Sequence, residues 1–409
     1  MSARPLLVVK FGGTSLEPAE RAETAARTVA DLARETAVVV VVSAPGRAGS
    51  PYATDTLLEL THQEGMGKDP AEVDALIACG EVVSAALFAL RLRGLGLDAR
   101  SLTGAQAGIV TDGVWGQARL TGVDPTILQE LVSAGTIPVV AGFQGDHQGR
   151  TTTLGRGGSD LSAVALGAAL EAPVVIFTDV DGVYTADPRL VADARRLPAL
   201  SYEDAALLSY RGAKVLHPRA AEMALGYRVE VTVARPPEAT AGTLITDAGR
   251  AAQRTREIAE PLVVGGVTAQ SDRVQLTLEV GDPGAPAVGD LTSLFDGLAT
   301  AGISLDLIDV GGDHVRFTVD AADRAAARKV LRALGIGFRE REGCAKVSVV
   351  GGGMHGRPGV MARVVRALQS AGVPILQSAD AHNVISCLVP GEQEHEAVRS
   401  LHREFFGAG

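Results

Sequence analysis

LLVVKFGGTS, residues 6–15, sets the architecture of the chain. Leu6 to Phe11 is a strand-forming aliphatic run interrupted only by Lys10. Gly12-Gly13 and the hydroxyls of Thr14 and Ser15 then turn the chain into EPAERAETAARTVADLARE, residues 17–35, which has a helical pattern. Strand, glycine turn, hydroxyl cap and helix together form a cradle for an anion such as phosphate, because the exposed N–H groups of the turn and helix start point at it. There is no GxxxxGK[ST], so this is not a P-loop; Lys10 precedes the glycines instead of following them. VVVVVSAPG, residues 38–46, is the next strand and carries Ser43 to its C-terminal end. Ligands in open α/β sheets bind outside such ends.

Outward from this start, strands alternate with helices as far as residue 247, which argues for a mainly parallel sheet covered on both faces. Residues 47–72 read as a mobile loop leading into a helix. Residues 74–96 read as a buried helix carrying Glu81, a carboxylate that must find a cation or a backbone partner among its apolar neighbours. TTLGRGGSD, residues 152–160, is a second glycine-rich turn. It bears one cation, Arg156, and one anion, Asp160, and runs into an alanine-rich helix. It reads either as a capped turn or as an anion site. VVIFT, residues 174–178, delivers Thr178 and Asp179 to a strand end, and Asp187-Pro188-Arg189 follows. This charged exit is either a solvated turn cluster or a nucleotide site. Residues 201–227 are helical with a break at His217-Pro218, and a histidine before a proline is more often structural than catalytic.

Composition narrows the classes. The chain has 409 residues, 46% of them apolar and 4% aromatic, so two or three domains with Val-, Leu- and Ala-built cores are expected. The net charge of −10 disfavours nucleic acid or an anionic membrane as partner. An anionic substrate must therefore be held by local cations and backbone dipoles. The 3 cysteines, Cys79, Cys344 and Cys387, are scattered and fit neither a disulfide framework nor a CxxC metal site. They read as buried small hydrophobes in a reducing cytoplasm. The opening MSARPLLVVKFGG has too short an apolar run for a secretory signal.

Six motifs occur in order: KFGGTS at 10–15, SAPG at 43–46, GE at 80–81, GRGGSD at 155–160, TDVDGVYTADPR at 178–189 and GAKVLHPR at 212–219. Together they closely resemble the aspartate kinases (aspartokinases) of the amino-acid kinase superfamily, over essentially all of residues 1–247. The resemblance implies a three-layer α/β sandwich with a mainly parallel central sheet. It implies transfer of the ATP γ-phosphoryl group to the β-carboxylate of L-aspartate, with Mg2+ accompanying the phosphates. Lys10 would neutralise the transferring group, and Phe11, Gly12, Gly13 and Ser15 would surround the phosphates. Arg156 would clamp an aspartate carboxylate, for which a planar guanidinium is suited. Asp160 would orient Lys10 or the reacting groups. Ser43, Thr54, Glu81, Gly157, Gly158 and Ser159 would line the aspartate site, with Glu81 toward the α-ammonium. Thr178, Asp179, Tyr184, Asp187, Arg189 and Lys214 would hold the nucleotide. The loop before Thr54 is longer than the family pattern. A sister kinase for another small acceptor would be expected to lack the long C-terminal tail, and an inactive sensor to lack Lys10, Arg156 or Asp160.

Residues 248–261 read as a linker. Beyond it, LATAGISLDL at 298–307 aligns with LQSAGVPILQ at 368–377, and VRFTV at 315–319 with ISCLV at 385–389, a repeat with an offset of 70. The repeat resembles paired βαββαβ ACT domains, expected at 262–342 and 343–409. Such domains imply a homodimer and a lysine or threonine effector. The first copy departs from the family at Val288-Gly289 and at Asp309 to Gly312, and the second carries SADAHN at 378–383. Both folds are expected, either as effector sensors or as dimerisation modules alone.

Overall fold

The computed structural model describes residues 4–62, 69–213, 216–239, 242–256, 264–279, 291–312, 314–352, 354, 357–381 and 383–407. The chain forms two compact units. The first comprises Met1–Val183, Arg196–Ser209 and Lys214–Pro261; the second comprises Tyr184–Arg195, Tyr210–Ala213 and Leu262–Gly409.

In the first unit the strands are β1 (Leu6–Phe11), β2 (Ala37–Val42), β3 (Ala99–Leu102), β4 (Ile109–Thr111), β5 (Leu120–Val123), β6 (Ile137–Ala141), β7 (Gln144–His147), β8 (Arg150–Thr153), β9 (Val174–Phe177), β10 (Ala199–Ser201), β11 (Val231–Ala234) and β12 (Thr243–Thr246). The helices are α1 (Gly13–Leu16), α2 (Ala19–Leu32), α3 (Thr54–His62), α4 (Pro70–Gly94), α5 (Thr126–Ser133), α6 (Gly158–Ala169), α7 (Tyr202–Tyr210), α8 (Pro218–Tyr227) and α9 (Ala248–Arg256). The main sheet has the order β10-β12-β11-β9-β1-β2-β6-β3, and β4, β5, β7 and β8 make a smaller one. All neighbours in the main sheet are parallel except β11 and β12. The central strands are buried along their length because helices cover both faces, which is why LLVVKF and AVVVVV are continuously apolar instead of alternating. Phe11 stacks on Phe177 with ring centroids 4.8 Å apart, and Phe88 of α4 closes the cluster. α2 buries Ala22, Ala25, Ala26 and Val29, the spacing of one helical face.

Three expectations change here. Thr54–His62 is a helix, where the sequence suggested part of a mobile loop. Ala248–Arg256 is also helical, inside the stretch expected as a linker. Cys79 is exposed on α4, whereas Cys344 and Cys387 are buried as expected.

In the second unit, β13 (Gly266–Glu279), α10 (Leu291–Thr300), β14 (Asp306–Val310), β15 (His314–Asp320) and α11 (Arg324–Ala333) form the first copy. β16 (Phe338–Val350), α12 (Val360–Ser370), β17 (Gln377–Ala381), β18 (Val384–Pro390) and α13 (Glu394–Phe406) form the second. One antiparallel sheet of order β14-β15-β13-β16-β18-β17 joins them. Each long strand serves both copies: β13 pairs with β16 from Gly266↔Val350 to Leu278↔Phe338. The expected boundary at 342–343 therefore falls inside one continuous strand. The two copies keep separate cores, one around Leu276, Leu298 and Phe317, the other around Val347, Leu368 and Leu401. Ala186 and Val191, from the charged exit after β9, lie in the second of these cores. Val288-Gly289 lies outside the described residues.

Candidate functional site

The C-terminal ends of four adjacent strands, β9, β1, β2 and β6, carry the site in the first unit. Lys10 is the last polar residue of β1 and is only 8% exposed. Its Nζ lies 2.5 Å from Oδ1 of Asp160, an ion pair between β1 and the first turn of α6. That oxygen is buried and meets no hydrogen-bond donor besides the Lys10 ammonium among the described residues. The glycines at 12 and 13 differ in their reasons. A Cβ on Gly13 would sit 2.4 Å from the Ala44 carbonyl oxygen, so the SAPG loop excludes any side chain there; at Gly12 the nearest atom, Lys10 Nζ, would be 3.7 Å away. Ser15 is buried in α1, and the Phe11 carbonyl accepts from the Ser43 N–H at 3.1 Å. Phe11 points its ring into the core, so what it offers to a nucleotide at this turn is its backbone, on the strand that presents Lys10.

The β2 exit meets the start of α6 directly: Ser43 Oγ and Ser159 Oγ are 2.7 Å apart. Glu81 reaches the same exit from α4. It is 3% exposed, and its Oε1 accepts from the Ala44 N–H at 2.9 Å. Its Oε2 is buried with no hydrogen-bond partner among the described residues. Burial pushes its carboxyl up to about 8, against the Ala44 hydrogen bond and the Lys10 charge, which pull it down. The sequence expected Glu81 to meet a cation or a backbone; one oxygen meets a backbone and the other is left for a donor. Thr54 opens α3 and is half-buried. The preceding loop packs on α4, since a Cβ on Gly80 would lie 2.4 Å from the Tyr52 carbonyl oxygen.

Before α6, Gly157 adopts the left-handed conformation with φ of 70°. Gly158 is crowded by Leu154 and Phe143, each within 2.9 Å of where its Cβ would stand. Arg156 is exposed and makes no hydrogen bond or ion pair among the described residues. The loop therefore offers a free cation between two packed glycine positions, beside a helix N-terminus.

The β9 exit is divided. Thr178 and Asp179 stay with the first unit, where Thr178 Oγ1 donates to Asp179 at 3.1 Å and Arg47 lies 3.5 Å from the Asp179 carboxylate. Arg235 donates to the Asp179 carbonyl. Tyr184, Asp187 and Arg189 belong to the second unit. There the Arg189 Nη2 and Asp187 Oδ2 are 2.7 Å apart, and the Arg189 N–H donates to the same carboxylate at 2.9 Å. Lys214 lies outside the described residues.

Two groups that the sequence reading left without a site role stand next to these. Asp74 of α4 is 1% exposed and accepts from the N–H groups of Gly116 and Thr153 and from the Thr153 hydroxyl. The buried-carboxylate reasoning applied to Glu81 would have flagged it. Arg219, part of the quoted GAKVLHPR, donates to the carbonyls of Leu154 and Ala118.

Comparison with known proteins bears on this geometry. The profile of the Amino acid kinase family matches residues 5–235, and that of the ACT domain matches residues 339–403. The chain is 39% identical over 405 residues to Aspartokinase 1 of Bacillus subtilis, covering 98% of each. Among solved structures it is similar to E. coli aspartokinase III in complex with aspartate and ADP (R-state), with a TM-score of 0.78, 27% identity, and coverage of 98% of this chain and 100% of that one. The same enzyme in complex with lysine and aspartate (T-state) gives a TM-score of 0.75 at 26% identity, over 98% and 99% of the two chains.

Proposed function

The chain belongs to the amino acid kinase family and is an ATP-dependent kinase acting on aspartate; from that premise we propose how its own residues perform the reaction. The β-carboxylate oxygen of L-aspartate forms a bond to the γ-phosphorus of ATP as the bond to the ADP oxygen breaks, giving 4-phospho-L-aspartate and ADP. The attacking oxygen carries no proton, so the chain need supply no general base. Its work is positioning and charge neutralisation.

Lys10 faces the transferring phosphoryl group, and the Lys10–Asp160 ion pair at 2.5 Å is the observation that carries this reading. It ties the glycine turn after β1 to the loop that bears Arg156. Asp160 fixes the ammonium direction. Gly12, Gly13 and Ser15 approach the phosphates through their backbone and hydroxyl groups. Arg156 clamps a carboxylate of aspartate, Glu81 offers its unpaired oxygen to the α-ammonium, and Ser43, Thr54, Gly157, Gly158 and Ser159 line the remainder. Thr178 and Asp179 face the nucleotide from the β9 exit. Tyr184, Asp187, Arg189 and Lys214 are proposed nucleotide contacts on the resemblance alone. Mg2+ would accompany the nucleotide phosphates, and Asp160, a carboxylate at the start of α6 beside Lys10, is of the hard-oxygen type such a cation takes. When bound, it would neutralise phosphate charge.

The test is aspartate-dependent turnover with ATP and Mg2+, trapping the acyl phosphate with hydroxylamine. Lys10→Ala and Arg156→Ala should each cost about 3–4 kcal/mol of transition-state stabilisation, a loss of roughly 10²–10³ in rate. Near-normal turnover in both would show the site to be misassigned. Lysine or threonine is proposed as a feedback effector acting through the ACT modules. Repeating the assay with lysine, threonine and both would reveal it, and an unchanged rate in all three would leave the modules as dimerisation elements. A cytoplasmic homodimer is proposed. Ile308 and Val310 on the edge strand β14 are about half exposed, which suits pairing with a second copy. Light scattering gives the mass.

A further inference from the structure

The site as proposed depends on a loop, residues 154–160, whose two charged members must point to different places. Two side chains outside the loop hold it. Arg219 of α8 donates Nη1 to the Leu154 carbonyl at 2.5 Å and Nη2 to the Ala118 carbonyl at 2.9 Å. The Leu154 N–H is itself bonded to the Phe143 carbonyl at 2.8 Å, so the entry to the loop is held from both sides. His217, the residue preceding α8, stands against the middle of the loop. A Cβ on Gly157 would lie 2.0 Å from its Cγ and 2.2 Å from its Cδ2. Gly157 follows Arg156, and its carbonyl accepts from the N–H groups of Asp160 and Leu161 at 3.1 and 3.2 Å. The imidazole thus presses on the one backbone unit that sets both the departure of Arg156 and the start of the helix carrying Asp160.

We propose that His217 and Arg219 are positioning residues, the imidazole a wedge under Gly157 and the guanidinium a clamp on Leu154, which together fix the directions of Arg156 and Asp160. This rests on the site reading above. A general-base role is excluded by the chemistry, since a carboxylate nucleophile has no proton to give. The electrostatics suit a neutral wedge. Burial holds the imidazole below its ordinary value, Asp160 opposes this, and Arg219 reinforces it. Its Nδ1 is buried and has no partner among the described residues. A neutral ring leaves Asp160 to Lys10, whereas an imidazolium would compete for it.

The experiment is steady-state kinetics of the full chain with each substrate varied. His217→Ala should raise KM for aspartate about tenfold or more and lower kcat, with KM for ATP within about twofold, because a displaced loop misplaces the aspartate clamp first. His217→Phe, which keeps a planar ring without its nitrogens, should restore both parameters to within about threefold of the parent. Gly157→Ala should lose most activity through the clash and through its left-handed backbone, φ of 70°, and adding His217→Ala should recover the clash's share, at least about tenfold, a coupling that independent sites would not show. Arg219→Lys, which keeps the charge and loses the two-pronged donor, should repeat the rise in aspartate KM if His217→Ala does not fold. Unchanged kinetics in His217→Ala, equal rises in both KM values, or no recovery in the double variant would overturn the proposal. Absence of aspartate-dependent turnover in the parent chain would instead overturn the functional reading itself.

Discussion

Glu81→Gln separates the stability of this protein from its function at one atom. The parent carboxyl is moved by burial from an ordinary 4.5 to about 8. At about 1.4 kcal/mol per pH unit, ionising it inside the folded chain costs on the order of 5 kcal/mol relative to the unfolded chain. The sign follows from the direction. The unfolded carboxyl ionises near 4.5 and the folded one near 8, so stability is greatest at low pH and is lost as pH rises between these values. Glutamine keeps an acceptor for the Ala44 N–H, bonded to the parent Glu81 at 2.9 Å, and removes the ionisation. The variant should therefore match the parent near pH 5 and gain on it by up to about 1.4 kcal/mol per unit towards pH 8. It should also bind aspartate worse, since the unpaired oxygen no longer offers a charge to the α-ammonium. A loss of about 1.5–3 kcal/mol would appear as a roughly 10–100-fold higher KM for aspartate. In the parent, KM for aspartate should fall as pH rises towards 8, and this dependence should vanish in the variant. Urea denaturation at pH 5.5 and 8, with kinetics at the same pH values, reads both. A stability gain equal at the two pH values, or an unchanged KM, would refute the reasoning.

Asp74→Ala should strand the N–H groups of Gly116 and Thr153, and urea midpoints should register a loss of about 2–4 kcal/mol, with Asp74→Asn losing less. Lys346, 1% exposed in the ACT unit, pairs with Asp306. Asp306→Ala should destabilise the full chain by about 3–5 kcal/mol, whereas Asp306→Leu with Lys346→Met should recover part of it, because the buried ammonium is gone while Arg211, 3.5 Å from Asp306 in the parent, still loses its partner. His402 is buried beside Thr185, at 2.9 Å, and burial holds it below its ordinary 6.5. Its folded form resists protonation, so stability should fall as pH drops below 6.5, and His402→Gln should show a shallower loss between pH 7.5 and 5.5 in the same denaturation assay.

What could be read from the chain alone was local or repetitive. LLVVKF and VVVVV declare doubly covered strands because a parallel sheet buries both faces of each strand. Glycine pairs mark places where the backbone must approach something closely, and the motif order from KFGGTS to GAKVLHPR carried the family. The 70-residue offset exposed two copies of one small fold. Tertiary structure decided everything that depends on pairing across distance. Lys10 and Asp160 are 150 positions apart in the chain and meet only because β1 lies next to the strand that follows α6. Glu81 and Asp74 are carboxylates on one helix, alike in sequence. One is fully satisfied and the other keeps a bare oxygen, because different loops fold over them. That the Phe11 ring stacks on Phe177, leaving only its backbone toward the glycine turn, is likewise fixed by the sheet and not by the motif. The stretch from Thr178 to Arg189 looked like one nucleotide loop, yet Tyr184 onward belongs to the second unit, where Ala186 and Val191 find their apolar partners. β16 runs through the expected boundary between the repeats because each copy borrows a long strand from the other. Sequence patterns report which faces want burial and which turns want glycine. Which group ends up beside which, and which polar atom is left without a partner, is settled only when the whole chain has closed around it.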